Sequence, residues 1–189
     1  MLRRRFLALL AGGPGASLAA AGQEAVLWQR LREGGHVLLM RHAATDLGIG
    51  DPPGFVLDRC RTQRNLSEAG RRDARRIGEA FRSRAIPVDE VMSSRWCRCL
   101  DTARLAFGRV QPASMLDSMF REEDAPRRAK LAGVLARAGG YEGKGNLVLV
   151  THDVNIRALV GESVAQGDIV VTEPDGGRLK KLGVLRAHE

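Results

Sequence analysis

Aromatic residues, cysteines and long apolar runs are all scarce in this sequence. Phe, Trp and Tyr make up 4% of its 189 residues, which leaves few of the stacking platforms on which proteins bind single-stranded nucleic acid. The three cysteines, Cys60, Cys97 and Cys99, are too few to build a disulfide scaffold. After residue 22 no segment approaches the roughly 18 consecutive apolar residues of a membrane span, so we expect no stable membrane insertion of the mature chain.

The rest of the composition is that of an ordinary globular domain with a basic surface. Hydrophobic residues account for 44% and charged residues for 28%, and the length suits a single domain, which we place at 22–189. The formal net charge is +8, and it falls to +5 without residues 1–21, which hold three arginines and no acidic residue. Basic and acidic residues are interleaved along predicted helices, so we predict no nucleic-acid partner and instead a phosphorylated, anionic substrate.

The first 21 residues have the pattern of a signal peptide. Three arginines at 3–5 form a basic start, a short apolar run follows, and Ala19 and Ala21 form an A-x-A pattern. The order Arg-Arg-x-Phe-Leu at 3–7 also resembles a twin-arginine signal. An amphipathic N-terminal helix or a retained anchor is the alternative interpretation. We predict a signal peptide at 1–21 and a periplasmic or secreted protein.

Apolar runs alternate with helical patterns along the rest of the chain. The sequence predicts strands at 36–40, 88–94 and 146–152, and the first and last of these are near-continuous apolar segments. Apolar residues at helical spacing predict helices that start at Ser67, cover 95–107 and 125–138, and begin again just after His152. This alternation predicts an α/β fold, a three-layer α/β/α sandwich with a mostly parallel central sheet.

Two further segments have patterns of their own. Residues 168–186 read as two short strands joined by an Asp-Gly-Gly turn, which predicts a C-terminal β-hairpin at the edge of the sheet. Residues 48–65 hold too much Gly, Pro and Asp for a helix or a strand. An ordered loop of this length is usually functional, so we expect it to cover a site.

Candidate functional residues lie where the predicted strands end. Arg41 and His42 follow the first strand, and His152 follows the strand at 146–152. Because ligands bind beyond the carboxyl ends of parallel strands, we expect these side chains to share one rim. Arg95 and Arg98 lie one turn apart near a predicted helix N-terminus, which suits an anion such as phosphate.

Four short motifs, taken together, resemble the histidine phosphatase superfamily. In chain order they are Arg-His-Ala at 41–43 followed by Thr45, NLSEAGRRDA at 65–74, Ser94-x-x-x-Arg98-x-x-x-Thr102-Ala103, and THDVNI at 151–156. The resemblance implies a phosphatase that hydrolyses phosphomonoesters through a covalent phosphohistidine on His42. It also implies that Arg41, Arg98 and His152 bind the phosphoryl group, and that neither a metal nor another cofactor is needed.

The resemblance leaves the proton donor open. One branch of the superfamily uses a carboxylate in the loop after the third strand, where the candidates are Asp117, Glu122, Glu123 and Asp124. The other branch uses the residue after the second histidine, here Asp153. We favour Asp153, with Glu122 as the alternative. Thr45 and Arg95 are further candidates for the phosphate pocket.

The cysteines permit one disulfide, from Cys60 to either Cys97 or Cys99. Either bridge would pin the loop at 48–65 to the helix that carries Arg98, and a zinc site is the weaker alternative. For the substrate we expect a phosphorylated small molecule or a cell-envelope sugar. The competing hypotheses are a phosphohistidine protein phosphatase and a non-catalytic phosphate-binding protein of the same fold.

Overall fold

The computed structural model of the protein describes residues 15–188. Its helices and strands are, in chain order, α1 (Gly15–Glu33), β1 (Val37–Arg41), α2 (Glu68–Ser83), β2 (Val88–Ser93), α3 (Cys97–Phe107), β3 (Gln111–Pro112), α4 (Asp124–Ala138), β4 (Asn146–Thr151), α5 (Asp153–Val160), β5 (Ile169–Asp175) and β6 (Arg178–Leu185). The predicted elements all form close to their predicted bounds. The sequence did not predict α1 or the two-residue strand β3.

The sheet is mostly parallel, as predicted, and it carries the predicted hairpin at one edge. Its strand order is β3-β2-β4-β1-β5-β6. The pairs β1–β4, β2–β4 and β2–β3 are parallel, whereas β5 runs antiparallel to β1 and pairs with β6 as a hairpin. Consequently the carboxyl ends of β1, β2 and β4 lie side by side, and the residues that follow these three strands meet at one edge.

Alternate residues of the central strands pack on opposite faces of the sheet, which accounts for their near-continuous apolar sequences. In β1, Leu38 and Met40 join a core with α1, α2 and α3, while Val37 and Leu39 join a second core with α4 and α5. Strand β4 divides its side chains in the same way. Helices on both faces of one sheet make this a three-layer α/β/α sandwich.

Helix α2 begins at the predicted Ser67 and contacts the segment that follows His42. The Ser67 side chain accepts a hydrogen bond from the Gly70 backbone N–H at 3.1 Å, as an N-cap does. A Cβ on Gly70 would lie 1.9 Å from the carbonyl oxygen of Ala44. Only glycine permits this approach, so the start of α2 fixes the backbone beside the nucleophile candidate.

The N-terminal prediction is only partly within the described residues. Residues 1–14 of the predicted signal peptide lie outside them, and the signal peptide stays a prediction. Helix α1 runs from Gly15 past the predicted cleavage point, and its residues Leu27, Trp28 and Leu31 are buried against the sheet. A chain cut after Ala21 would therefore keep the part of α1 that packs into the core. Within 15–188, no helix has the length and apolar character required to cross a membrane.

Candidate active site

A cavity of about 470 Å³ opens where β1, β2 and β4 end. Its lining includes the buried His42, Arg98 and His152, the partly buried Arg41, Arg64 and Asp153, and more exposed residues that form its mouth. The backbone explains why His42 and His152 lie close together. The His42 N–H donates to the Thr151 carbonyl at 3.0 Å, so the residue after β1 is tied to the residue that precedes His152.

His42 is held in the tautomer that a nucleophile needs. Its ring is buried, and Nδ1 lies 2.9 Å from the carbonyl oxygen of Ala43. A carbonyl oxygen can only accept, so Nδ1 carries the hydrogen and donates it. The lone pair of the neutral ring is therefore on Nε2, the nitrogen that would attack phosphorus.

Burial and neighbouring positive charge keep both site histidines neutral. Burial is the main reason that the pKa of His42 falls to about 3, and Arg98, Arg41 and Arg64 lower it further against the opposing effect of the Ala43 hydrogen bond. Burial also holds the pKa of His152 well below its ordinary value, and His42 adds to this effect. The two rings lie 5.5 Å apart between centroids. His42 therefore needs no deprotonation before it can act as a nucleophile near neutral pH.

Three arginines in the cavity each have a buried Nε–H with no partner in the described structure. They are Arg41, Arg64 and Arg98. Their other nitrogens are anchored, since Nη1 of Arg41 donates to the Val164 carbonyl at 2.5 Å and Nη1 of Arg64 donates to the Gly48 carbonyl at 2.6 Å. Three guanidinium groups held around one cavity indicate a site built for an anion.

Arg98 is fixed by a buried carboxylate, that of Asp51. Nη1 donates to Oδ1 at 2.7 Å and Nη2 to Oδ2 at 3.2 Å. Asp51 also accepts hydrogen bonds from the Trp96 indole at 2.9 Å and from the Arg64 backbone N–H at 3.0 Å. Burial alone would raise the pKa of Asp51, but these hydrogen bonds, led by that of Arg98, lower it. Asp51 thus fixes the orientation of the Arg98 guanidinium beside the cavity.

His152 is held by a serine from the end of β2. Its Nε2 lies 2.9 Å from Oγ of Ser94, the first residue of the Ser94-x-x-x-Arg98 motif. The Trp96 ring packs edge-on against the imidazole at 5.5 Å between centroids. The serine, the indole and the backbone at the start of α5 together fix the direction of this ring.

Of the two candidate proton donors, the structure places Asp153 at the cavity and Glu122 elsewhere. Asp153 Oδ1 accepts from the Val164 N–H at 2.9 Å and lies 3.8 Å from Nη1 of Arg41. Glu122 forms an ion pair with Lys130 beside a separate depression on the surface. The loop after β3 sends no carboxylate to the cavity within the described residues.

Two predicted phosphate ligands also lie away from the cavity. Arg95 precedes α3, which begins two residues later than predicted, and its guanidinium donates to the buried Asp117 at 2.8 and 2.6 Å. Thr45 pairs with Leu66 and accepts a hydrogen bond from the Gln166 side chain at 3.1 Å. Both residues support the loops around the cavity rather than line it.

The structure joins Cys60 to Cys97 by a disulfide, one of the two pairings that the sequence left open. The bridge ties the loop at 48–65 to the first residue of α3, directly before Arg98. Cys99 is a buried free thiol, and burial raises its pKa to about 12. Among residues 15–188 no three His, Cys, Asp or Glu side chains are grouped so that they could hold a metal ion.

The sequence did not single out two residues of the loop at 48–65 that line the cavity. Asp51 and Arg64 lie in a segment without periodicity, and neither belongs to a motif with an implied role. The only signal was the length and Gly-Pro content of the loop, which predicts a functional segment but does not show which side chains point inward.

Comparison with known proteins identifies the family. A model of the histidine phosphatase superfamily (branch 1) matches residues 37–131, half of the chain. The protein therefore belongs to the histidine phosphatase superfamily. A search of the curated proteins found no significant match.

Solved structures share the fold. A phosphoserine phosphatase from Entamoeba histolytica in complex with 3-phosphoglyceric acid is 16% identical, with a TM-score of 0.58 over 79% of this chain and 95% of that one. An alpha-ribazole phosphatase from Shigella flexneri is 16% identical, with a TM-score of 0.55 over 81% and 96%. The protein histidine phosphatase SixA, complexed with tungstate, is 14% identical, with a TM-score of 0.55 over 80% and 97%.

The lowered pKa of His42 predicts that acid destabilises the fold. Histidine in the unfolded chain binds a proton near its ordinary pKa of 6.5, whereas His42 in the fold does so only near 3. Between these values the unfolded state binds more protons, so the free energy of unfolding is full above pH 6.5 and decreases toward pH 3. The decrease is at most about 1.4 kcal/mol per pH unit for one such group.

Urea unfolding across this pH range measures the effect. The variant His42→Asn should lose stability less steeply than the unmodified protein, and His188→Asn, near the C-terminus, serves as the matched control. Equal slopes for His42→Asn and the unmodified protein would contradict the prediction.

Proposed function

We propose that the protein hydrolyses phosphomonoesters through a phosphohistidine on His42, using side chains alone. The observation that carries the proposal is the grouping of three guanidinium groups, those of Arg41, Arg64 and Arg98, around the cavity that holds a neutral histidine. Planar guanidinium groups suit phosphoryl oxygens. Membership of the histidine phosphatase superfamily and the shared fold of known phosphatases support the same proposal.

The first half of the reaction transfers the phosphoryl group to the protein. His42 Nε2 attacks phosphorus in line, the N–P bond forms, and the bond from phosphorus to the alcohol oxygen breaks. The departing oxygen takes a proton from Asp153, whose Oδ2 makes no hydrogen bond to residues 15–188 and is free to carry it. Arg41, Arg64 and Arg98 meet the charge that spreads over the phosphoryl oxygens.

The second half returns the protein to its starting state. A water molecule gives a proton to the Asp153 carboxylate and attacks phosphorus on the side that the alcohol has left. The N–P bond breaks, the electron pair returns to His42 Nε2, and inorganic phosphate leaves. His152 lies close enough to His42 to contact the phosphoryl group in both halves.

The substitution Asp153→Asn tests the proton donor. An alkoxide is a poor leaving group, so we expect kcat/KM for an alkyl phosphate to fall about 10²- to 10⁴-fold. An aryl phosphate should lose much less, because a phenol ionises near pH ~10 and leaves more easily. Glu122→Gln, which removes the alternative carboxylate, should change neither rate. An unchanged alkyl phosphate rate in Asp153→Asn would remove Asp153 from the mechanism.

A phosphohistidine protein phosphatase is the second candidate, and the contacts of Asp153 favour it. The Val164 N–H and the Arg41 guanidinium both lie at Oδ1 of this carboxylate, so half of it is already held by the protein. Imidazole is a better leaving group than an alkoxide, so its departure depends less on a proton donor. If hydrolysis of phosphohistidine is fast and insensitive to Asp153→Asn while alkyl phosphates are not hydrolysed, this second function replaces the first.

A further inference from the structure

The cavity is larger than a phosphoryl group requires. Its volume of about 470 Å³ lies in the range of pockets that hold whole small molecules. The buried arginines and histidines account for one end of it. The other end would face the alcohol part of a substrate, so the residues at that end indicate the chemical class of this alcohol.

Apolar side chains surround this outer end. Ile49 is 89% exposed, Phe55 37% and Phe120 49%, and all three line the cavity together with Trp96. We call these four residues the apolar mouth. Of the six large apolar side chains that are exposed within the described structure, five lie in the two loops beside the cavity, and only Val26 lies elsewhere. Exposed apolar surface concentrated at one place indicates a binding surface.

The two loops meet across the cavity. A Cβ on Gly50 would lie 3.5 Å from Cε1 of Phe120, so the phenyl ring packs over the backbone of the opposite loop. Arg121, the next residue, has a φ of 64°, an unusual value for a residue with a side chain. The Phe55 ring of the first loop and the Trp96 ring, directly before α3, lie 5.8 Å apart between centroids. Aromatic rings thus stand on both sides of the opening.

Several polar side chains at this end are engaged by the protein itself, and the Arg121 guanidinium lies over the Phe120 ring, 5.1 Å from its centroid. Asp51 is fully engaged by Arg98, and Oδ1 of Asp153 is taken by the Val164 N–H. Ser118 accepts a hydrogen bond from the Phe120 N–H. A sugar carries several hydroxyl groups that lose their water on binding and need partners. The mouth offers aromatic faces in place of such partners.

We infer that the substrate is a phosphomonoester whose alcohol part is an apolar aromatic group, bound between Phe120 on one side and Phe55 and Trp96 on the other. This inference rests on the proposed function and names its substrate class. Aromatic rings gain from edge and offset contacts with other rings in addition to their burial. The phosphoryl group would lie on the arginines while the aromatic group fills the apolar mouth.

Ligand affinities of a non-hydrolysing protein test this inference separately from catalysis. The full chain with His42→Ala would be titrated with 1-naphthyl phosphate, glucose 6-phosphate and inorganic phosphate by calorimetry. We expect the naphthyl ester to bind at least about tenfold more tightly than the sugar phosphate. Adding Phe120→Ala or Phe55→Ala should weaken binding of the naphthyl ester about three- to tenfold and leave that of inorganic phosphate unchanged. Val26→Ala, at an exposed residue away from the cavity, should change neither the affinity for the naphthyl ester nor the affinity for inorganic phosphate.

The outcomes distinguish a failure of the inferred substrate class from a failure of the proposed function. Glucose 6-phosphate binding as tightly as the naphthyl ester, or losing as much affinity in Phe120→Ala, would overturn the aromatic substrate while the phosphate site stands. If inorganic phosphate and both esters fail to bind, the proposed function fails and the substrate class falls with it. Tight naphthyl phosphate binding that depends on both phenylalanines supports the inference.

Discussion

The variant His42→Ala is expected to lose at least about a thousandfold in kcat/KM for an aryl phosphate, because no covalent intermediate can form without Nε2. A radioactive substrate would show the intermediate directly. The N–P bond of phosphohistidine survives alkali and breaks in acid, so rapid mixing into alkaline denaturant should trap label on the unmodified protein and none on the variant.

The chain supplies a matched control for this experiment. His36 and His42 flank the same strand, β1, at its two ends, and both are buried. Only His42 lines the cavity. The variant His36→Ala should therefore still trap the radioactive phosphoryl group and retain its activity per folded molecule. Label retained by His42→Ala would show that another residue is the nucleophile.

The second large effect is expected from Arg98→Ala, which should lower both activity and stability. Loss of one donor to the transition-state charge costs about 10²- to 10³-fold in kcat. The free energy of unfolding should fall by about 3–5 kcal/mol, because the buried carboxylate of Asp51 loses its ion-pair partner. Urea unfolding and steady-state rates measure the two effects on the same preparations.

Two further variants separate the electrostatic role of Arg98 from its structural role. The double variant Asp51→Ala with Arg98→Ala removes the stranded carboxylate, so it should recover part of the lost stability and none of the activity. Arg95 lies three residues before Arg98 and outside the cavity, and it forms a similar ion pair with the buried Asp117. The variant Arg95→Ala breaks this pair. It should lower the free energy of unfolding as well, but it should lower activity per folded molecule far less than Arg98→Ala does, because Arg95 does not line the cavity. If Arg95→Ala and Arg98→Ala lower activity equally, Arg98 has no special part in the chemistry.

The sequence predicts the sheet and its ends well because hydrophobic periodicity is a local signal. A strand buried on both faces needs an uninterrupted apolar run, and the polar residue that follows it must lie at the strand end. This logic places Arg41, His42 and His152 at one rim, where the structure has them. Ser67 similarly identifies the start of α2, because a cap acts on residues of its own turn.

The failures concern side chains whose direction is set by distant residues. Arg95 was expected at the phosphate, but α3 begins after it and Asp117, from another loop, binds its guanidinium. The partner of Cys60 was also undecidable from sequence. Two residues apart on a helix, Cys97 and Cys99 point in nearly opposite directions. Only the packing of α3 decides which of them faces the loop and which faces the core.

The burial of Cys99 has a kinetic consequence for the disulfide. A neighbouring thiol can displace a cysteine from a disulfide only as the thiolate. Cys99 has its pKa raised to about 12 and packs in the core on the far side of α3 from the loop, so it stays protonated and out of reach. Once the native fold has formed, the bridge between Cys60 and Cys97 is therefore protected against isomerisation by the one other cysteine in the chain. The order of events matters for this protection: α3 must pack before the thiols are oxidised if the unwanted pairing with Cys99 is to be avoided.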